Sequence, residues 1–230
     1  MKLYAALGCA LLLAACGKSD ELPVTPPTST SADAPPDIPV MGREVRILAL
    51  GDSLFAGYGL NPGEGYPARL EAALRAKGVN ARITNAGVSG DTTADGLARL
   101  DFTLKSQETP PDLVLISLGG NDMLRGLDPL QTRANLDAIL AELGKRKIPV
   151  MLMGMLAAPN MGPDYARGFN AIYPALAKKH DAALVPFFLQ AVVDKPDLRQ
   201  ADHIHPTAHG VEEIVAGTVD EVAKAVPRNL

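Results

Sequence analysis

Five short apolar runs, at 45–50, 79–85, 112–118, 149–155 and 183–187, alternate with amphipathic stretches at 66–77, 92–105, 129–147, 165–180 and 208–225. Strict alternation of this kind leaves few folds open, because parallel strands need a crossover and a helix supplies it. The helical period is plain at 129–147: Leu136, Ile139, Leu140 and Leu143 fall on one face, with Arg133, Asp137 and Glu142 off it. Gly78 follows the first amphipathic stretch as a stop signal. The runs are almost continuously apolar, as strands covered on both faces should be. The pattern therefore predicts an α/β chain, a three-layer α/β/α sandwich with a parallel five-stranded sheet. A length of 230 residues, 47% of them hydrophobic, suits one such domain. The formal charge is −4 and the cations are dispersed, which excludes a nucleic-acid partner. The only basic clusters, Lys145-Arg146-Lys147 and Lys178-Lys179, fall at predicted helix ends and read as solvated last turns.

The first 43 residues do not share this pattern. Lys2 precedes an apolar core, Leu3 to Leu13, too short to span a bilayer, so residues 1–15 read as a signal peptide. Leu13-Ala14-Ala15-Cys16 resembles the bacterial lipobox, which implies cleavage before Cys16 and lipidation of its thiol. Residues 16–43 carry Pro23, Pro26, Pro27, Pro35, Pro36 and Pro39 among Ser, Thr and Asp, and form an extended linker. The domain is then 44–230. With Cys9 in the leader and Cys16 lipidated, no thiol is left there for a disulfide, a thiolate metal site or a nucleophile.

Four polar blocks carry the chemistry. Gly51-Asp52-Ser53-Leu54 ends the first apolar run; Asn85-Ala86-Gly87-Val88-Ser89-Gly90-Asp91-Thr92 ends the second; Gly119-Gly120-Asn121-Asp122 ends the third; Asp202-His203-Ile204-His205-Pro206 precedes the last helix. Alone, each is ordinary turn chemistry. In this order and spacing they resemble the SGNH (GDSL) hydrolase superfamily, over roughly residues 44 to 225. The wording is nearest its bacterial arylesterases and thioesterase I/lysophospholipase L1 enzymes. That family's fold is flavodoxin-like, in agreement with the order of elements read above.

Serine needs a base to become a nucleophile, and the base needs a third group to fix its tautomer. Ser53, His205 and Asp202 can fill these roles, since three-residue spacing lets one turn bring Asp202 to His205. The resemblance implies an oxyanion hole of the Ser53 and Gly90 N–H groups and the Asn121 amide. A glycine turn and a residue just past an apolar strand suit that purpose. Gly-x-Ser-x-Gly is absent, which disfavours the elbow-type α/β-hydrolases. Asp52, Asp91 and Asp122 are read as structural, Asp52 by capping the following turn. Tyr58 and Leu60 are read as packing near the site, and His180 and His209 as surface residues. His203, His205 and His209 are close in sequence, but a zinc reading leaves Ser53 and Asn121 unexplained. No metal and no cofactor is expected.

The expectation is a serine esterase acting through an acyl-enzyme on aryl or short-to-medium acyl esters, and on lysophospholipids or thioesters. The alternative is a carbohydrate or cell-wall glycan O-acetylesterase. The segment 156–163 is expected to shape the pocket, with Leu54, Leu60, Leu156 and Met161 beside the acyl chain. A monomer is expected, tethered through Cys16 in the bacterial envelope and facing the periplasm from the outer membrane.

Overall fold

In a computed structural model of the chain, residues 40–227 are described. The leader, Cys16 and nearly all of the linker therefore lie outside the described residues. Five strands, β1 (Val45–Gly51), β2 (Ala81–Gly87), β3 (Leu113–Ser117), β4 (Val150–Met153) and β5 (Ala183–Val185), form one parallel sheet in the order β2-β1-β3-β4-β5. This is the flavodoxin-like order, whose direction of winding reverses between β1 and β3. The predicted fold class stands.

Among the described residues eight α-helices flank the sheet, seven between strands and one after the last: α1 (Ser53–Ala56), α2 (Tyr66–Ala76), α3 (Thr93–Lys105), α4 (Gly120–Leu124), α5 (Pro129–Lys145), α6 (Pro163–Asn170), α7 (Ile172–His180) and α8 (Ala208–Ala225). α2 packs on α8, whereas α5 packs on α3, α6 and α7, giving the two outer layers. Between them the sheet buries Ile47, Leu48, Leu50, Val114, Leu115, Ile116 and Leu152. β3 is buried throughout, while the edge strand β2 exposes part of its length, so doubly covered strands are confined to the sheet centre.

Three local expectations are corrected. The helical stretch 165–180 is two helices that meet at Ala171. The helix predicted to reach 147 ends at Lys145, and Lys147 turns left-handed at φ 57°. α1 and α4 are too short to show a period, and Asn121 lies in α4 instead of at a strand end. At the base of the sheet, Asn80 donates to the Gly42 carbonyl at 2.9 Å and Arg43 pairs with Asp112 at 2.7 Å, which fixes the segment entering β1.

Candidate active site

β1 ends at the switch point, where an open α/β sheet forms its ligand crevice. Just beyond it the Asp52 carboxylate accepts the Leu54 N–H at 3.0 Å and caps α1, so Ser53 takes the first helical position. A first-turn amide has no intrahelical acceptor, and the Ser53 N–H is spent on no other group among the described residues. Asp52 is 2% exposed. Burial pushes its carboxyl up to about 7; the Leu54 N–H opposes this, and the nearby Asp91 and Asp122 carboxylates reinforce it.

The second rim comes from the turn after β2. Val88 N–H bonds to the Gly51 carbonyl at 3.0 Å and Asp91 N–H to Val88 at 3.1 Å. Gly90 sits between them at φ +90°, where a side chain would be strained. Thr92 and Asp95 then start α3 with a reciprocal capping box. From α3, Arg99 donates Nε to Asp91 at 2.6 Å and Nη2 to the Gly51 carbonyl at 2.9 Å. One guanidinium thus ties the turn bearing Gly90 to the end of the strand that leads into Ser53.

The third rim follows β3. Gly119 adopts φ +109° beneath Tyr173, whose hydroxyl donates to the Leu118 carbonyl at 2.9 Å. α4 then presents Asn121, whose Nδ2 donates to the Asp91 carbonyl at 2.9 Å. The buried Asp122 accepts from the N–H and hydroxyl of Thr93 and the hydroxyl of Thr132, linking α4 to α3 and α5. The Asp52 and Asp122 carboxylates hold backbone N–H groups, and that of Asp91 holds the Arg99 guanidinium.

The fourth rim is the turn before α8. Asp202 Oδ1 accepts the N–H groups of Ile204 at 2.9 Å and His205 at 3.0 Å. Its Oδ2 meets His205 Nδ1 at 2.6 Å, and His205 Nε2 meets Ser53 Oγ at 2.8 Å. Partial burial works against the Asp202 charge, but the His205 ring and these N–H groups outweigh it and hold the carboxyl at about 2. Tyr58 lies over the imidazole with ring centroids 4.5 Å apart. His203 has φ 60°, a left-handed conformation that suits glycine better than histidine. Among the described residues no three His, Cys, Asp or Glu side chains are grouped to hold a metal ion.

These rims enclose a cleft of about 710 Å³. Ser53, Gly90, Asn121 and His205 line it, together with Leu54, Leu124, Leu156, Leu189, Val193 and Ile204. Of the segment 156–163, only Leu156, Ala157, Ala158 and Pro159 line the cleft. Met161 does not, and Leu60 lies in a different cavity against Ala68 and Ile83. The left-handed turns at Gly57 and Gly59 carry Leu60 there, away from Ser53. His180 is also corrected: it is partly buried and bonds to Asp137 at 2.6 Å, while His209 is exposed. Arg99 gave no sequence signal, because both of its partners lie before its own helix.

A serine linked through an imidazole to a carboxylate, opposite main-chain and amide donors on a doubly wound parallel sheet, places the chain among the serine hydrolases of the three-layer sandwich class. Comparison with known proteins makes the class narrower. The profile of the GDSL-like Lipase/Acylhydrolase family matches residues 49–212. The chain is 42% identical over 160 residues to Esterase TesA of Pseudomonas aeruginosa, covering 70% of this chain and 79% of that protein. It is 43% identical over 160 residues to Thioesterase 1/protease 1/lysophospholipase L1 of Escherichia coli K12, covering 70% and 74%. The crystal structure of AlinE4, an SGNH-hydrolase family esterase, is 64% identical, covers 81% of this chain and 99% of that one, and superposes with a TM-score of 0.70. The chain belongs to the GDSL-like lipase/acylhydrolase family and is an SGNH serine esterase.

Proposed function

We propose that the protein hydrolyses aryl and short-to-medium acyl esters, with lysophospholipids and thioesters as further substrates, through an acyl-enzyme on Ser53. The observation that carries this reading is the relay Ser53–His205–Asp202, at 2.8 and 2.6 Å, facing Gly90 and Asn121 across one cleft. His205 Nε2 takes the Ser53 proton as Oγ attacks the ester carbon. The resulting oxyanion is held by the N–H groups of Ser53 and Gly90 and by Asn121 Nδ2. Collapse expels the alcohol, which receives the proton from His205; water then repeats the cycle and releases the acid. Asp202 stays ionised, which suits it to hold the Nδ1–H tautomer and to stabilise the imidazolium.

The wall chemistry favours acyl chains over sugars. Tyr58, Leu124, Leu156 and Ile204 are among the large hydrophobic residues left exposed, and all four line this cleft. Apolar side chains left exposed together mark a binding surface. Ser53, Gly90, Asn121, Asp202 and His205 complete the site within one chain, so hydrolysis needs no second copy, in keeping with a monomer. Lipidation at Cys16 rests on Leu13-Ala14-Ala15-Cys16, and a place on the outer membrane on Gly17, which stands where an aspartate commonly retains bacterial lipoproteins in the inner membrane. The decisive experiment is labelling with a fluorophosphonate: covalent capture at Ser53 is expected, and an unlabelled Ser53 in active enzyme overturns the mechanism.

A further inference from the structure

Arg199 stands in the wall of the cleft, on the segment that leads into Asp202 and His205. Among the described residues it meets no carboxylate: one guanidinium nitrogen donates to the His203 carbonyl at 2.9 Å, and Nε is buried without a hydrogen-bond partner. Nε is closed off by its burial, so the donor left to meet an acceptor in the cleft is Nη2, which bonds to no other group among the described residues. The rest of the lining offers no competing acid. Asp52 is the one carboxylate in it, and it is 2% exposed and committed to capping α1. The cleft is therefore apolar with a single permanent cation, next to the histidine that hands its proton to the departing alcohol. Arginine suits that place, since its planar fork matches carboxylate and phosphate oxygens.

We propose that Arg199 is a specificity residue that binds an anionic group, carboxylate or phosphate, on the alcohol part of the substrate ester. This rests on the serine-esterase reading above. Because Arg199 also holds the His203 carbonyl, its removal slows every ester to some degree, so the informative quantity is a ratio.

The test compares kcat/KM for two matched pairs: octanoylglycerol phosphate against octanoylglycerol, and the octanoyl ester of glycolate against that of glycolamide. Arg199→Gln keeps a donor for the His203 carbonyl without the charge, Arg199→Met removes both, and Arg199→Lys restores a point charge. In Gln and Met the preference for the anionic member should fall about tenfold or more in at least one pair, with partial recovery in Lys. The pair that responds shows whether phosphate or carboxylate is recognised. An unchanged ratio in both pairs overturns the proposal, as does a fall seen only when the anion is moved to the acyl chain. Hydrolysis surviving in Ser53→Ala would instead overturn the esterase mechanism and leave the Arg199 ratios readable.

Discussion

Asn121 Nδ2 donates to the main-chain carbonyl of Asp91 at 2.9 Å, and Asp91 is itself held by Arg99 at 2.6 Å. One proton of the Asn121 amide fixes its orientation, and the other remains for the cleft. The oxyanion corner is therefore set before substrate arrives. Such preorganisation acts on the transition state and hardly on ground-state binding.

Asn121→Ala should consequently lower kcat by about 10²–10³ with KM little changed. Steady-state kinetics on a p-nitrophenyl ester decides it. An effect on KM alone would remove Asn121 from the oxyanion hole.

Arg99 is not part of the cleft lining, yet it joins Asp91 to the Gly51 carbonyl and so fixes the distance between two rims. Arg99→Met should reduce kcat by about ten- to a hundredfold through misplacement of the corner. Fluorophosphonate labelling of Ser53 should continue, more slowly. Unchanged kcat in a folded variant would show that the rims hold their spacing without this bridge.

The parts of the site that were legible in sequence are those built locally. Ser53 follows its strand directly, and Asp202 reaches His205 within a single turn. Gly90 and Asn121 needed the family resemblance, because no local rule distinguishes an oxyanion donor from turn chemistry. What stayed hidden depends on long-range geometry: Arg99 finding Gly51, and Leu60 diverted by two left-handed glycines. The sheet was readable because its central strands are covered on both faces and must be apolar. Helix ends were less so, since the break at Ala171 interrupts a hydrophobic pattern that simply continues in sequence.

Asp52 gives a pH-dependent stability with a definite sign. Its folded-state value of about 7 lies above the ordinary carboxyl value of 3.8, so the native state binds the proton more tightly than the unfolded chain. The stabilisation is complete below pH 3.8 and is lost as pH rises through about 7. Asp52→Asn keeps an acceptor for the Leu54 N–H and removes the buried charge. It should melt higher than wild type at pH 8, by on the order of a few kcal/mol of unfolding free energy, with a much smaller gain at pH 5. Melting curves at the two pH values check this; a gain that is equal at both would mean the carboxyl is not neutralised by burial.

Ser53→Ala should leave the melting curve intact and remove hydrolysis, with a loss on the order of 10⁶ in rate. Residual activity above about one per cent would contradict the nucleophile assignment, because binding and the oxyanion corner alone supply far less.

Chain-length selectivity should follow the cleft wall. Leu156 and Ile204 are 41% and 40% exposed and line the cleft, so an acyl chain can cover both. Each methylene buried there gains about 0.8 kcal/mol, roughly a fourfold rise in kcat/KM per carbon. The rise should level off once the chain outgrows the cleft of about 710 Å³. Ile204→Ala removes part of that wall without touching Ser53 or the His205 ring, so the gain per carbon should shrink while acetyl-ester turnover changes least. A series of p-nitrophenyl esters from acetyl to palmitoyl measures both slopes. A flat profile in the wild type, with turnover only of acetylated glycans, would reassign the cleft to a sugar ester and leave its apolar wall without a ligand.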